Sequence, residues 1–177
     1  MGRVLEGWQS GALWTSRSGA PVTVLSARAT VSRNAGANPA VAAGVSPAQV
    51  CADVGVYKLG AGAYYLPRKY LLAGTSLGST LGADPAMLAN PAAGSLGDHA
   101  LRNRCSGANF TNIDVNLVKK TTLSERVSFE FRAEFFNILN HPNFSVPGGN
   151  INGTGFGVLS GTLGGVRQIQ FNGRLSF

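Results

Sequence analysis

The last eleven residues alternate apolar and polar side chains almost without a fault (RQIQFNGRLSF, residues 167–177). One parity is apolar: Ile169, Phe171, Leu175 and Phe177. Because successive side chains of an extended strand point to opposite faces, the pattern predicts a strand over residues 166–177 with one apolar face. Segments of about ten such residues build transmembrane β-barrels, in which the apolar face meets lipid and the polar face the lumen. A soluble sheet gives the same alternation.

A second alternating segment covers residues 126–139 (RVSFEFRAEFFNIL). Phe129, Phe131 and Phe135 share one face, and Glu130, Arg132 and Glu134 share the other, where opposite charges pair. At about 3.3 Å per residue and a tilt near 45°, eleven residues rise roughly 26 Å, close to the ~25 Å apolar band of an outer-membrane barrel. We predict a strand over residues 126–139.

Two earlier strands are predicted, over residues 5–18 and 112–120. Trp8 and Trp14 share a parity in the first, which fits contact with lipid or its interface. The alternative is two core aromatics of a soluble sheet. Residues 121–125 are predicted to form a tight turn; residues 19–21 (GAP) are predicted to end the first strand, and residues 22–25 to prolong the ribbon beyond it.

Two loops separate the predicted strands, over residues 26–111 and 140–165. The first is rich in Ala, Gly, Asn, Ser and Pro and is far longer than ordinary connections. Within it, Ser46 and Pro47 have the residue types of a helix start, and residues 64–67 (YYLP) form either a local strand or a ligand-facing aromatic patch. Long loops that alternate with one short turn are typical of barrels.

Composition agrees with a loop-rich β protein. The 177 residues include 24 glycines and 8 prolines, only 13% are charged, and no apolar run of 18 residues exists. The N-terminus shows no apolar signal region, so we expect a C-terminal piece of a longer exported protein. The net charge of +7 raises nucleic acid as a partner, but the basic residues are scattered and aromatics are not interleaved with them, so we predict no nucleic-acid binding.

Residues 132–144 (RAEFFNILNHPNF) closely resemble the penultimate strand and loop of TonB-dependent outer-membrane receptors. The resemblance is to the large Oar-like kind, which has a carboxypeptidase-regulatory-like N-terminal domain. It extends to residues 7–9 (GWQ), 18–21 (SGAP) and 112–117 (NIDVNL) and to the terminal strand, but not to residues 27–95.

This resemblance implies an all-β fold: about four antiparallel strands from the C-terminal end of a transmembrane β-barrel, with one very long and one medium loop. It places the chain in the bacterial outer membrane, taking part in uptake of a large or scarce ligand. The implied partners are outer-membrane lipid, the rest of the barrel with its plug, and a TonB-type energy-coupling protein reached through the missing N-terminal part. The strands would run outward, inward, outward and inward.

The resemblance also implies roles for particular side chains. A terminal aromatic strand directs barrel assembly in this class, which makes Phe171, Leu175 and Phe177 the candidate assembly signal. The candidate lipid-facing residues are Trp8, Trp14, Phe129, Phe131, Phe135 and Ile169.

Cys51 and Cys105 are the only cysteines, and both fall in the first loop. In an exported protein a single pair tends to form a disulfide, which at this separation stabilises by up to ~4 kcal/mol. Free thiols remain an alternative. A zinc site with His99 and His141 is a third, although no pair has zinc-finger spacing.

Catalysis has little support, and we predict neither an enzyme nor a cofactor nor a metal site. His141 stands in a turn-forming segment (NHPN), and Glu130 and Glu134 flank Arg132, which favours an ion-pair ladder over an acid–base dyad. The rival to the barrel fragment is a small soluble or self-assembling β-sheet module that displays the long loop for binding or adhesion.

Overall fold

The computed structural model describes residues 6–31, 38–73 and 80–177. The chain divides into two compact units. The sheet unit comprises Met1–Arg17, Phe110–Asn143 and Leu163–Phe177, and the loop unit comprises Ser18–Asn109 and Phe144–Thr162.

The sheet unit contains the long strands β1 (Trp8–Arg17), β10 (Phe110–Ser124), β11 (Val127–Phe136) and β12 (Gln168–Ser176). The loop unit contains β2 (Pro21–Val22), β3 (Val41–Ala42), helix α1 (Pro47–Ala52), β4 (Tyr57–Leu59), β5 (Gly62–Tyr64), β6 (Leu71–Ala73), β7 (Thr80–Ala83), β8 (Leu88–Ala89) and β9 (Cys105–Ser106). Short 3-10 helices lie at Arg68–Tyr70 and His99–Leu101. No helix in the described ranges has the length and apolar character needed to cross a membrane.

The four long strands form one antiparallel sheet in the order β1-β10-β11-β12. Its register keeps the apolar positions together: Trp14 stands opposite Ile113, and Ala133 lies between Leu117 and Phe171. Residues directly opposite in an antiparallel pair point to the same side, so one face is largely apolar across all four strands. The other face is largely polar.

These strands lie in the four regions where alternation predicted them. Leu5, the predicted start of the first, lies outside the described residues. The turn predicted over residues 121–125 is wrong, because β10 continues to Ser124 and only Glu125 and Arg126 turn. Thr121 and Thr122 suit a strand, and both pair with β11.

The third strand ends at Phe136, earlier than predicted, because Asn137 has a left-handed backbone with φ of 50°. Its backbone N–H donates to Asp114 Oδ1 at 2.8 Å instead of continuing the ladder. Its side-chain amide donates to the carbonyls of His141 and Gly165. Asparagine tolerates this conformation, so the strand stops here although Ile138 and Leu139 continue the apolar composition.

The loop unit has its own buried core, which includes Tyr70, Phe156, Leu66, Leu88, Leu101 and Val50. Both of its segments contribute, since Leu25 N donates to Gly149 O and Tyr65 N to Gly157 O. The region expected as one very long loop therefore differs from that expectation and folds into short paired strands around a core. Residues 32–37 and 74–79 of that region lie outside the described residues.

Three local predictions within the loop unit have different outcomes. The short helix is confirmed, with Ser46 as its cap accepting from Gln49 N and Pro47 at its start. Of residues 22–25, Val22 lies in β2 and pairs with Cys105 in the register of the β1–β10 ribbon, so the predicted prolongation of that ribbon is confirmed for Val22 and is wrong for residues 23–25. In the YYLP segment the strand alternative is correct up to Tyr64, and Tyr65 and Leu66 are buried core residues, so it is not an exposed patch.

The register gives a direct prediction for β11. Spin labels at consecutive positions 128–135 should alternate in their accessibility to an apolar quencher, odd positions being the more accessible, because Phe129, Phe131 and Phe135 lie on the apolar face. Labels at the even positions serve as the internal control. A period of three to four residues would contradict the strand.

Candidate functional site

The apolar face of the sheet is exposed on the outer strands β1 and β12 and mostly half-buried on the central strands β10 and β11. Trp14 and Phe171 are 69% and 67% exposed, and the rings of Phe131 and Phe171 stack with centroids 6.0 Å apart. All six candidate lipid-facing residues lie on this one face. A continuous apolar face of this kind marks a surface that meets a membrane or a partner.

Tryptophans stand toward the two ends of this face. Trp8 and Trp14 are six residues apart in β1, about 20 Å along the strand. The Lys119 ammonium lies 5.0 Å from the Trp8 ring centroid and also donates to the backbone carbonyl of Glu6. Aromatic girdles at both interfaces are characteristic of outer-membrane barrels, and the tryptophans have this placement.

The polar face carries the predicted ion-pair ladder, which is confirmed. Glu130 accepts from Lys120 at 3.3 Å and from Arg132 at 3.2 Å, and Arg132 also lies 3.8 Å from Glu134. Gln170 of the next strand donates to Glu134. These contacts join three strands and pair Glu130 and Glu134 with Lys120 and Arg132.

This two-faced sheet agrees with what a comparison of sequences finds. A family model described as "Outer membrane beta barrel domain" matches residues 1–170. The chain belongs to this family. No curated protein and no solved structure matches the chain.

Membership of the outer membrane beta barrel domain family confirms the predicted fold class and location. The chain is an all-β protein of antiparallel strands, and it belongs to the bacterial outer membrane. Such domains are typical of transport or structural proteins that are not enzymes. Among the described residues, no group of three or more His, Cys, Asp and Glu side chains is placed to hold a metal ion.

In the loop unit, Cys51 and Cys105 form a disulfide, with an S–S distance of 2.02 Å and Cα atoms 4.9 Å apart. The bond joins α1 to β9, and Cys105 is almost fully buried. The zinc alternative also involves two histidines. His99 belongs to the loop unit and His141 to the sheet unit.

A charged cluster fixes the end of α1. Asp53 accepts hydrogen bonds from Lys69 at 2.6 Å, Tyr70 at 2.7 Å and Gln49 at 2.9 Å. These donors, Lys69 first, lower the pKa of Asp53 from 3.8 to about 2. Because the pKa of Asp53 is lower in the folded chain than in the unfolded chain, the ionised carboxylate stabilises the fold. This contribution is complete above the ordinary pKa of 3.8 and is lost as the pH falls through about 2. Acidity milder than pH 4 leaves this cluster intact.

The candidate assembly signal lies at the end of β12. Phe171 and Leu175 share the apolar face, and Phe177 follows the last strand residue and is fully exposed. Phe177 therefore packs against none of the described residues.

Sequence reasoning missed the asparagines that organise the strand ends. The Asn143 side chain accepts from Thr111 N at 2.7 Å and donates to Thr111 O at 2.9 Å, as a neighbouring strand would. Asn140, like Asn137, has φ of 50°, and its side chain accepts from Arg167 N. The regular spacing of Asn137, Asn140 and Asn143 was a usable signal, because asparagine both tolerates this backbone and imitates a peptide group.

Proposed function

We propose that the sheet unit is a wall segment of a TonB-dependent outer-membrane receptor of the Oar-like kind, and that the loop unit faces the cell exterior and the ligand. One observation carries the proposal. Both insertions, residues 18–109 and 137–167, leave the sheet at the end where Arg17 pairs with Phe110 and Phe136 with Gln168. The opposite end has only a two-residue turn at Glu125 and Arg126. Outer-membrane barrels have long extracellular loops and short periplasmic turns.

In this proposal the wall is completed by further strands. Within the described residues, β1 and β12 each have one neighbour, and the smallest single-chain barrels have about eight strands. The remaining strands and a plug would belong to a longer receptor, and the energy-coupling partner would act through that plug. The receptor would take up a large or scarce ligand.

The orientation is tested by epitope insertion in the full receptor. A short epitope after Gly60, in the turn between β4 and β5, should be labelled by antibody on intact cells. The same epitope between Glu125 and Arg126 should be labelled only after the outer membrane is permeabilised. The reverse pattern, or labelling of neither site in an outer-membrane fraction, would refute the proposal.

The chain end provides a second test. In the full receptor, Phe177→Ala should reduce surface assembly much more than Phe171→Ala, with unassembled protein in the periplasm. The physical reason is that assembly factors capture the last strand as an unpaired edge, with side-chain pockets that select its residues. Phe171 belongs to the same candidate signal and lies on the same face of β12, but it stands six residues before the chain end, so it is the matched comparison. Equal, mild defects in both variants would mean that Phe177 only ends the apolar stripe of β12.

A second candidate function is a binding or adhesion module that displays the loop unit. The separate core and disulfide of that unit favour it, because they give the unit the means to keep its shape without a membrane. A monodisperse monomer in detergent-free buffer would support this module over the barrel segment.

A further inference from the structure

A small pocket lies on the polar face of the sheet unit, at the end of the strands from which the insertions leave. Its volume is about 230 Å³. Neighbouring strands supply its floor: Asn112 and Asp114 come from β10, Phe136 from β11 and Gln168 from β12. The pocket therefore exists because the register brings the ends of these strands together.

The pocket contains hydrogen-bonding atoms that the protein leaves unused. Asp114 receives both of its hydrogen bonds, from Asn112 Nδ2 and from Asn137 N, on Oδ1. Within the described part of the chain, Asp114 Oδ2, Asn112 Oδ1 and the Gln168 amide make no hydrogen bond. Most of these atoms are acceptors, so they suit a ligand that carries several donors.

Two aromatic rings stand beside these acceptors on a face that is otherwise mostly polar. Phe136 is 40% exposed, although it lies on the same face as Glu130, Arg132 and Glu134. Phe110 also lines the pocket, and the Arg17 guanidinium stands 4.6 Å from its ring centroid. The two rings therefore offer apolar surface next to the acceptors, an arrangement that suits a ligand with both an apolar face and hydrogen-bond donors.

We propose that this pocket binds one ring of a neutral carbohydrate. Sugar hydroxyls donate to the unused oxygens of Asp114 and Asn112 and form a hydrogen bond with the Gln168 amide, while the C–H face of the ring packs against Phe136. The pocket volume of about 230 Å³ corresponds to about eight water molecules at ~30 Å³ each. Because pockets for drug-sized ligands begin near ~300 Å³, this pocket has room for one sugar ring and not for two.

The charge of the pocket narrows the ligand class further. Among the described residues that line it, Asp114 alone is charged, and the Arg17 guanidinium beside Phe110 has the opposite charge, so the pocket presents no net charge and favours a neutral ligand. Every residue that lines the pocket belongs to the sheet unit, so sugar binding does not depend on the proposed function. A role of this binding in ligand uptake rests on the proposed function.

The test uses the full chain in detergent and three neutral disaccharides, maltose, cellobiose and lactose. Saturation-transfer NMR should show binding of at least one of them. Gln168→Ala and Phe136→Ala should each weaken that binding about tenfold, because each removes a direct ligand contact. The matched controls are Gln170→Ala and Phe171→Ala, which lie in β12 with Gln168 but outside the pocket. They should change sugar affinity by less than about twofold. Circular dichroism of every variant should retain the wild-type sheet signal.

Asp114→Asn separates a sugar site from an ammonium site. The variant keeps an oxygen for Asn137 N and places an N–H donor at the Oδ2 position, from which a sugar hydroxyl can accept, so sugar binding should weaken only a few fold, whereas an ammonium site loses its counter-charge. Choline serves as the cationic probe and citrate as the anionic one. The proposal is overturned if none of the sugars binds to the folded wild-type chain. It is equally overturned if the pocket variants bind sugar as well as their controls, or if choline or citrate binds in preference to the sugars. None of these results would alter the epitope pattern that tests the proposed function.

Discussion

Removing the disulfide is expected to lower the free energy of unfolding of the loop unit by about 2–5 kcal/mol. The bond closes a sequence separation of 54 residues, so it restricts the unfolded chain strongly while joining α1 to β9 in the fold. Cys51→Ala combined with Cys105→Ala removes it without placing a polar group in the buried position of Cys105. The measurement is urea unfolding of the full chain.

Two sets of aromatic residues report on the two units separately. All four tyrosines belong to the loop unit and both tryptophans to the sheet unit. The tyrosine transition should therefore shift to lower urea in the double variant, while the tryptophan transition stays in place. Wild-type protein treated with a reductant should reproduce the variant. Quantitative alkylation of both thiols in protein from an oxidising compartment, or a tyrosine transition that does not move, would contradict the disulfide's role.

A charge on the apolar face is expected to have an effect of similar size. Phe171→Arg should destabilise the full receptor in lipid vesicles by about 2–4 kcal/mol, the cost of an arginine on the lipid face near the bilayer midplane. Phe171 lies in the row of Leu117 and Ala133, between the levels of the two tryptophans. Unfolding in urea, followed by gel mobility without heating, measures the loss.

Gln170→Arg is the matched control, because it adds the same side chain to the adjacent position on the other face. There the arginine would stand opposite Glu134, where its charge is favourable. The comparison also separates the two candidate functions. Phe171 is 67% exposed in the isolated chain, so a soluble module should tolerate arginine at 171 and 170 equally. Equal tolerance in vesicles would exclude a lipid-facing role for this face.

The long strands were predictable because their signal is local. A period of two over about ten residues, as in β11 and β12, predicts both the strand and which residues share a face. Antiparallel pairing then places the apolar faces of neighbouring strands on the same side of the sheet. The errors fell at strand ends. Thr121 and Thr122 lie in a strand where the sequence predicts a turn, and Asn137 ends a strand that the sequence predicts to continue. Strand ends depend on contacts with distant groups, such as the hydrogen bond from Asn137 N to Asp114, which the local pattern does not show.

The core of the loop unit could not be predicted from the sequence in the same way. Its strands of two to four residues are too short to show a period, and each pairs with a distant segment, as Val22 does with Cys105. The pocket was missed for a related reason. Asn112, Asp114, Phe136 and Gln168 come together only through the register of three strands, and no spacing along the chain reveals that.

The pairing of Arg17 with Phe110 has a consequence for how this architecture varies. The two ends of the Ser18–Asn109 insertion leave from directly opposite positions in neighbouring strands, as the ends of an ordinary hairpin turn do. Insertions with adjacent ends are tolerated because the host fold is not disturbed by what lies between them. The hairpin of β1 and β10 is therefore a grafting site: one insertion can be exchanged for another, or for a two-residue turn, while the wall keeps its register.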